Sequence, residues 1–115
     1  MKISKELAKG STAMLVLSVI SKREMYGYQI IKTVELLSED VFQMNEGTLY
    51  PILHSLEQNG MLTSFWSEGD ETSRRRRYYR ITQKGLKELE GYKAEWDAYS
   101  SAVAKVLGGA LNAAT

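Results

Sequence analysis

The chain has 115 residues, with 15 Lys+Arg against 14 Asp+Glu and a formal net charge of +1, room for one hydrophobic core but not two. It contains no cysteine, which excludes disulfides, thiolate metal sites and thiol nucleophiles. The longest wholly apolar run, Ala13 to Leu17, is far too short to span a bilayer, and the basic start MKISKELAKG lacks a secretory cleavage pattern. The expectation is therefore a soluble cytoplasmic protein with no membrane partner.

The first segment, Ser4 to Ser21, places Leu7, Met14, Leu17 and Ile20 near one helical face, and Ala13 to Ile20 is apolar almost all round. Such a helix needs cover on more than one side, and a partner subunit would help to supply it. Arg23 to Gly27 reads as a break. A second helix follows, with Ile30, Ile31, Val34 and Leu37 as its buried stripe. Val41 to Met44 has a short β-type composition. Asn45-Glu46-Gly47-Thr48 signals the start of a third helix, which Gly60 ends as a C′ glycine. Pro51 asks for a start near Gly47 or Thr48, or for a distorted opening turn.

Leu62 to Ser67 and Arg76 to Ile81 are β-rich and flank the turn-prone GDETS, which predicts an antiparallel hairpin. Strand alternation then puts Tyr79 and Ile81 on one face and Tyr78 and Arg80 on the other. The basic charge gathers here: Arg74 to Lys84 holds six basic residues and no acidic one. A final helix opens at Thr82-Gln83-Lys84. Its Leu89, Tyr92, Trp96, Tyr99, Val103 and Val106 are spaced 3, 4, 3, 4, 3, an a/d seam of the kind that packs against a second helix. The tail from Gly108 should fray.

Helix, helix, helix, hairpin is the winged helix-turn-helix order. The fold expected is mostly α with a small β-hairpin: a winged helix-turn-helix domain over residues 1–82, then a C-terminal dimerisation helix with a frayed tail over 83–115. On the third helix Leu49, Leu53 and Leu56 face the core, with Ile52 at the edge. Gly47, Tyr50, Pro51, His54, Ser55 and Gln58 lie opposite, with Glu57 to the side. Hydroxyls, an imidazole and an amide on such a face can bond phosphates or base edges. Packing of Tyr50 on a neighbouring helix and a solvated His54 is the alternative. For the arginine run the alternative is a solvated flank with no partner.

Three segments carry a resemblance: MYGYQIIK (25–32), NEGTLYPILHSLEQNGML (45–62) and RRRYYRITQKG (75–85). In this order and spacing they resemble the PadR family of bacterial transcriptional regulators over essentially the whole chain. The short length and single C-terminal helix are similar to a compact, multidrug-responsive subgroup. The resemblance implies a homodimer on double-stranded DNA, acting as a regulator and by family expectation a repressor, at a pseudo-palindromic operator. The residues it points to for DNA are Thr48, Tyr50, Pro51, His54, Ser55, Arg74, Arg75, Arg76 and Arg77. The seam Leu89, Tyr92, Trp96, Tyr99, Val103 and Val106 would be the dimer interface. Trp96, with Tyr92 and Tyr99, would stack a planar aromatic small-molecule effector; plain dimer packing is the competing reading. The hairpin tip departs from the family pattern. Glu68-Gly69-Asp70-Glu71 is acidic and Ser73 stands where glycine is usual, which places the DNA contact at the base and rising strand. One histidine and no cysteine leave no convergent acid, base and nucleophile, so neither an enzyme nor a cofactor or metal is expected. The rival is a winged-helix protein-interaction module without specific DNA binding.

Overall fold

A computed structural model describes residues 10–69 and 74–109. Helix α1 spans Thr12–Lys22; the expected beginning at Ser4 lies outside the described residues. Four of its residues, Val16, Leu17, Val19 and Ile20, are buried, and Lys22 in the last turn complements the carbonyl end of the helix dipole.

The break after α1 is a strand. Strand β1, Met25–Tyr26, pairs antiparallel with the second hairpin strand β3 (Arg77–Ile81), which pairs on its other side with β2 (Leu62–Trp66), so the sheet has three strands rather than two, in the order β1-β3-β2. Two residues are too few to show an alternating pattern in the sequence, which is why this segment reads as a break. Helix α2, Gly27–Leu37, follows directly. Gln29 Oε1 accepts the Tyr26 backbone N–H at 3.2 Å, satisfying a donor at the helix entry as the glutamine of a capping box does. Ile30, Ile31 and Val34 are buried as expected, whereas Leu37 is exposed at the helix end. Glu39 and Asp40 then take left-handed conformations, φ 53° and 67°, and turn the chain away. Val41 to Met44 form no strand; Phe42 and Met44 pack their side chains against the core instead. β-type residues form a strand only where an edge is there to pair with, and no strand lies beside these.

Helix α3 is Glu46–Gln58, opened by Asn45, whose side chain accepts the Thr48 N–H at 2.9 Å. Pro51 sits inside the helix. It is the sixth residue, because the helix starts just ahead of the expected Gly47 or Thr48, and it forfeits the one bond to the carbonyl of Gly47 while the helix continues through it. The end is a Schellman motif: Gly60 has φ 77°, its N–H reaches Glu57 O at 3.0 Å, and Met61 N–H reaches Leu56 O at 2.9 Å. Strands β2, Leu62–Trp66, and β3, Arg77–Ile81, pair with Leu62 opposite Ile81, Ser64 opposite Tyr79 and Trp66 opposite Arg77.

Helix α4 is Gln83–Ala104, continued by a π-helical turn over Lys105–Gly109. Thr82 fixes its entry. The hydroxyl accepts from Gly85 N–H at 3.0 Å and donates to Gly60 O at 2.7 Å, tying α4 to the end of α3. Buried side chains from α1, α2, α3, the sheet and the first turns of α4 make one core, with Tyr79 its only residue bearing a polar side-chain atom among those described. Among the described residues no helix is long and apolar enough to cross a membrane.

Candidate nucleic-acid interface

Burying Leu49, Leu53 and Leu56 fixes the rotation of α3. Gly47, Thr48, Tyr50, Pro51, His54, Ser55 and Gln58 are all exposed as a result. Strand β3 runs alongside. Its inner face carries Tyr79 and Arg77, and its outer face carries Tyr78 and Arg80. Between α3 and β3 lies an open cleft of about 380 Å³ lined by Tyr50, Pro51, His54, Glu57, Arg77 and Tyr79.

Tyr50 both packs and faces outward. Its ring lies over the start of α2 at Gly27, where an added Cβ would stand 2.8 Å from the phenol oxygen; 46% of the residue is nevertheless exposed. The absence of a side chain at Gly27 lets the phenol lie this close. Tyr79, at the floor of the cleft, has its phenol pKa raised above the usual 10.0 by burial, with the Arg77 charge opposing.

The arginine run divides. Arg77 Nη2 pairs with Glu57 Oε1 at 3.1 Å and Arg77 Nε donates to Ser64 Oγ at 2.9 Å; Ser64 in turn donates to Glu57. This triangle joins α3, β2 and β3 and holds the guanidinium at the cleft wall. Arg76 lies on the other side of the sheet, over the Tyr26 ring at 4.6 Å. Arg80 is there too, 2.8 Å from Glu24 Oε1 and over the Phe65 ring at 4.9 Å. Arg74 is exposed, and Arg75 stands over Trp66 at 5.6 Å. Of the residues expected to meet DNA, the structure gathers Tyr50, Pro51, His54 and Arg77 around one cleft, leaves Thr48 and Ser55 exposed on the same helix and Arg74 exposed on the wing, sets Arg75 over Trp66, and turns Arg76 away. The hairpin tip, Asp70 to Ser73, lies outside the described residues.

Helical spacing leaves Glu57 to one side of α3 and gives no sign of its pairing, because its partner is on another element. Trp66 carries no signal for the same reason. Its neighbours depend on hairpin register, and register cannot be counted through a loop of unknown geometry.

The expected seam departs at its first residue. Leu89 is 2% exposed in its own subunit's core and Tyr92 packs partly against that core, because the first turns of α4 lie on α1 and β3. Beyond them Trp96 is 48% exposed, Tyr99 63%, and Val103 and Val106 are also exposed. Trp96 and Tyr99 have ring centroids 6.3 Å apart, and Trp96 walls a groove of about 240 Å³ with Met14, Leu15, Ser18, Lys93 and Asp97.

The sequence model of the transcriptional regulator PadR-like family matches residues 16–91, from the middle of α1 into α4. Among solved structures, the chain is 31% identical to a transcriptional regulator from Clostridium thermocellum, with TM-score 0.82, covering 90% of this chain and 99% of that one. It is 37% identical to a PadR family transcriptional regulator from Eggerthella lenta, with TM-score 0.77, covering 89% and 86%. Against the transcriptional regulator YqjI of Escherichia coli it is 24% identical over 103 residues, and that match spans 89% of this chain and 47% of the relative. With three helices, a paired wing and a family match through all of them, the chain belongs to the PadR-like family, whose members are transcriptional regulators and not enzymes.

Proposed function

We propose that this chain is a sequence-specific DNA-binding repressor acting as a homodimer on a pseudo-palindromic operator. The observation that carries the reading is the cleft between α3 and β3, where the exposed polar face of α3 stands beside arginines of the wing. A helix presenting Thr48, Tyr50, His54 and Ser55 fits a major groove, and the exposed Arg74 and Arg75 of the wing fit the phosphate strand bordering that groove. Tyr50, held against Gly27, offers a phenol O–H to a phosphate; Arg74 and Arg75 neutralise others. Arg77, paired with Glu57, sets the angle between helix and wing.

Residues 1–82 form the DNA-reading part in this account, closed by the first turns of α4, and the rest of 83–115 holds a second copy. Tyr92, Trp96, Tyr99, Val103 and Val106 are the interface, an apolar row that is half-buried in its own subunit at Tyr92 and exposed from Trp96 onward. A two-fold axis through it presents two α3 helices about 34 Å apart, one turn of duplex. The groove walled by Trp96, whose ring lies 6.3 Å from that of Tyr99, supports release of the operator by a planar hydrophobic effector, as in the compact subgroup that includes the multidrug-responsive regulator LmrR. A cytoplasmic location follows from DNA as the partner.

The test is duplex binding by fluorescence anisotropy across a salt series, with selection of bound genomic fragments for the operator. Replacing Arg74 and Arg75 by alanine should weaken binding to every duplex alike and lower the slope of log affinity against log salt by about 2, since each phosphate contact contributes about 0.9. A wild-type protein that ignores duplexes even in dilute buffer would instead support the protein-interaction module.

A further inference from the structure

Phe65 and Trp66 are consecutive on β2, and the fold treats them oppositely. Phe65 points to the outer face of the sheet. There its ring stacks on Tyr78 with centroids 5.7 Å apart and an 18° tilt, and the Arg80 guanidinium lies over it. Trp66 points to the inner face, in register with Arg77 and two positions beyond Ser64, which touches Glu57 of α3. One strand step of two residues is roughly 6.6 Å, so the indole stands just past the wall of the cleft. It is 55% exposed, and among the described residues Arg75 is the cationic group over its ring.

A singly exposed indole is ordinary on a protein surface; what marks this one is the guanidinium stacked on it beside the α3 cleft. The groups around it identify what covers it. Arg75 lies over the ring, Arg74 precedes it in the chain, and Arg77, opposite in the ladder, already has its charge met by Glu57, which leaves Arg74 and Arg75 without a paired carboxylate among the described residues. The local charge is cationic, so the occupant is anionic with an apolar component beside each charge. A nucleic-acid strand has that alternation, with phosphate for the guanidinium and deoxyribose for the ring. An acidic protein surface would need an apolar side chain placed at each step.

We infer that Trp66 is a DNA-contacting residue, its indole packing on a deoxyribose of the strand that leaves the α3 cleft while Arg75 bonds the adjacent phosphate. This rests on the DNA-binding reading above and adds to it an aromatic contact on the wing that reads no base. The acidic tip then has no need to enter a groove, because the wing grips the strand from its stem. The two parts of the contact differ in their response to salt. The arginine releases counterions and the ring does not.

The protein has two tryptophans, so 5-fluorotryptophan labelling gives one 19F resonance each for Trp66 and Trp96, assigned with Trp66→Phe. Titration with a mixed-sequence duplex at low salt, followed in parallel by anisotropy, should move the Trp66 resonance in step with binding. In the same assay Trp66→Ala should bind about tenfold more weakly at every salt concentration with an unchanged slope, whereas Arg75→Ala should reduce the slope by about 0.9. A Trp66 resonance that stays in place while anisotropy reports a saturated duplex overturns this contact and leaves DNA binding standing. A resonance that moves with protein concentration alone assigns the ring to a contact between copies and also overturns it. Absence of binding to any duplex overturns the contact together with the function on which it rests.

Discussion

Leu89 on α4 and Val106 on the π-helical turn that continues it belong to the same stripe, spaced by the same alternation of threes and fours, yet Leu89 is 2% exposed and Val106 76%. The upstream part of α4 is a core element of the winged helix, clamped by Thr82 to the end of α3 and packed on α1 and β3. The downstream part carries aromatic and β-branched residues of similar apolar character out into solvent. What differs is the availability of neighbours within the chain. A heptad pattern announces that a stripe will be buried and says nothing about which surface will bury it. A helix can therefore be structural at one end and an association surface at the other without any change of pattern.

The comparison is most easily broken at its buried end. Leu89→Ala should destabilise the protomer by about 2–5 kcal/mol, the range for truncating a fully buried leucine, read as a lower midpoint in thermal or urea unfolding. A loss below about 0.5 kcal/mol would mean that the first turns of α4 are no part of the core. A smaller loss is expected at Gly85, where a Cβ would lie 2.2 Å from the Met61 carbonyl oxygen and 2.6 Å from Ile81 Cγ1. Backbone cannot rotate away as a side chain can, so Gly85→Ala must shift the whole helix entry. Overpacking of this kind costs about 1–3 kcal/mol. An unchanged unfolding midpoint for Gly85→Ala would show that α4 enters with slack.

These contrasts also mark what the amino-acid order makes legible. α3 can be read almost completely, because its caps, its glycine stop and its apolar face are all local signals. The Asn45 cap and the Gly60 stop appear where the residues place them. The hairpin strands and their face alternation are legible for the same reason. β1 is hidden because its existence depends on pairing with β3, some fifty residues away, and Val41 to Met44 mislead in the opposite direction for want of an edge. The site follows the same division. The exposed face of α3 can be derived from periodicity alone. The partition of the arginines depends instead on Glu57, Tyr26 and Trp66, which come from three other elements and meet the run only in the folded chain. Four adjacent arginines look equivalent in sequence, yet Arg77 is held against α3 by Glu57 while Arg76 lies over Tyr26 on the other side of the sheet.

The smallest effect on the folded protomer should come from the exposed end of the seam, and it is there that the proposed dimer is most sharply tested. Val103→Lys replaces an exposed side chain near the C-terminus of α4, where a cation suits the helix dipole. Protomer stability should stay within about 0.5 kcal/mol of the wild type. Association should not survive, because two copies would bring their lysines together in an apolar interface without counter-charges. The wild type should sediment as a dimer at micromolar concentration, with an unfolding temperature that rises with concentration by mass action. The variant should sediment as a monomer whose unfolding temperature is independent of concentration. If both proteins sediment alike, the exposed half of α4 is not the association surface, and its apolar row must serve something other than a second copy of this chain.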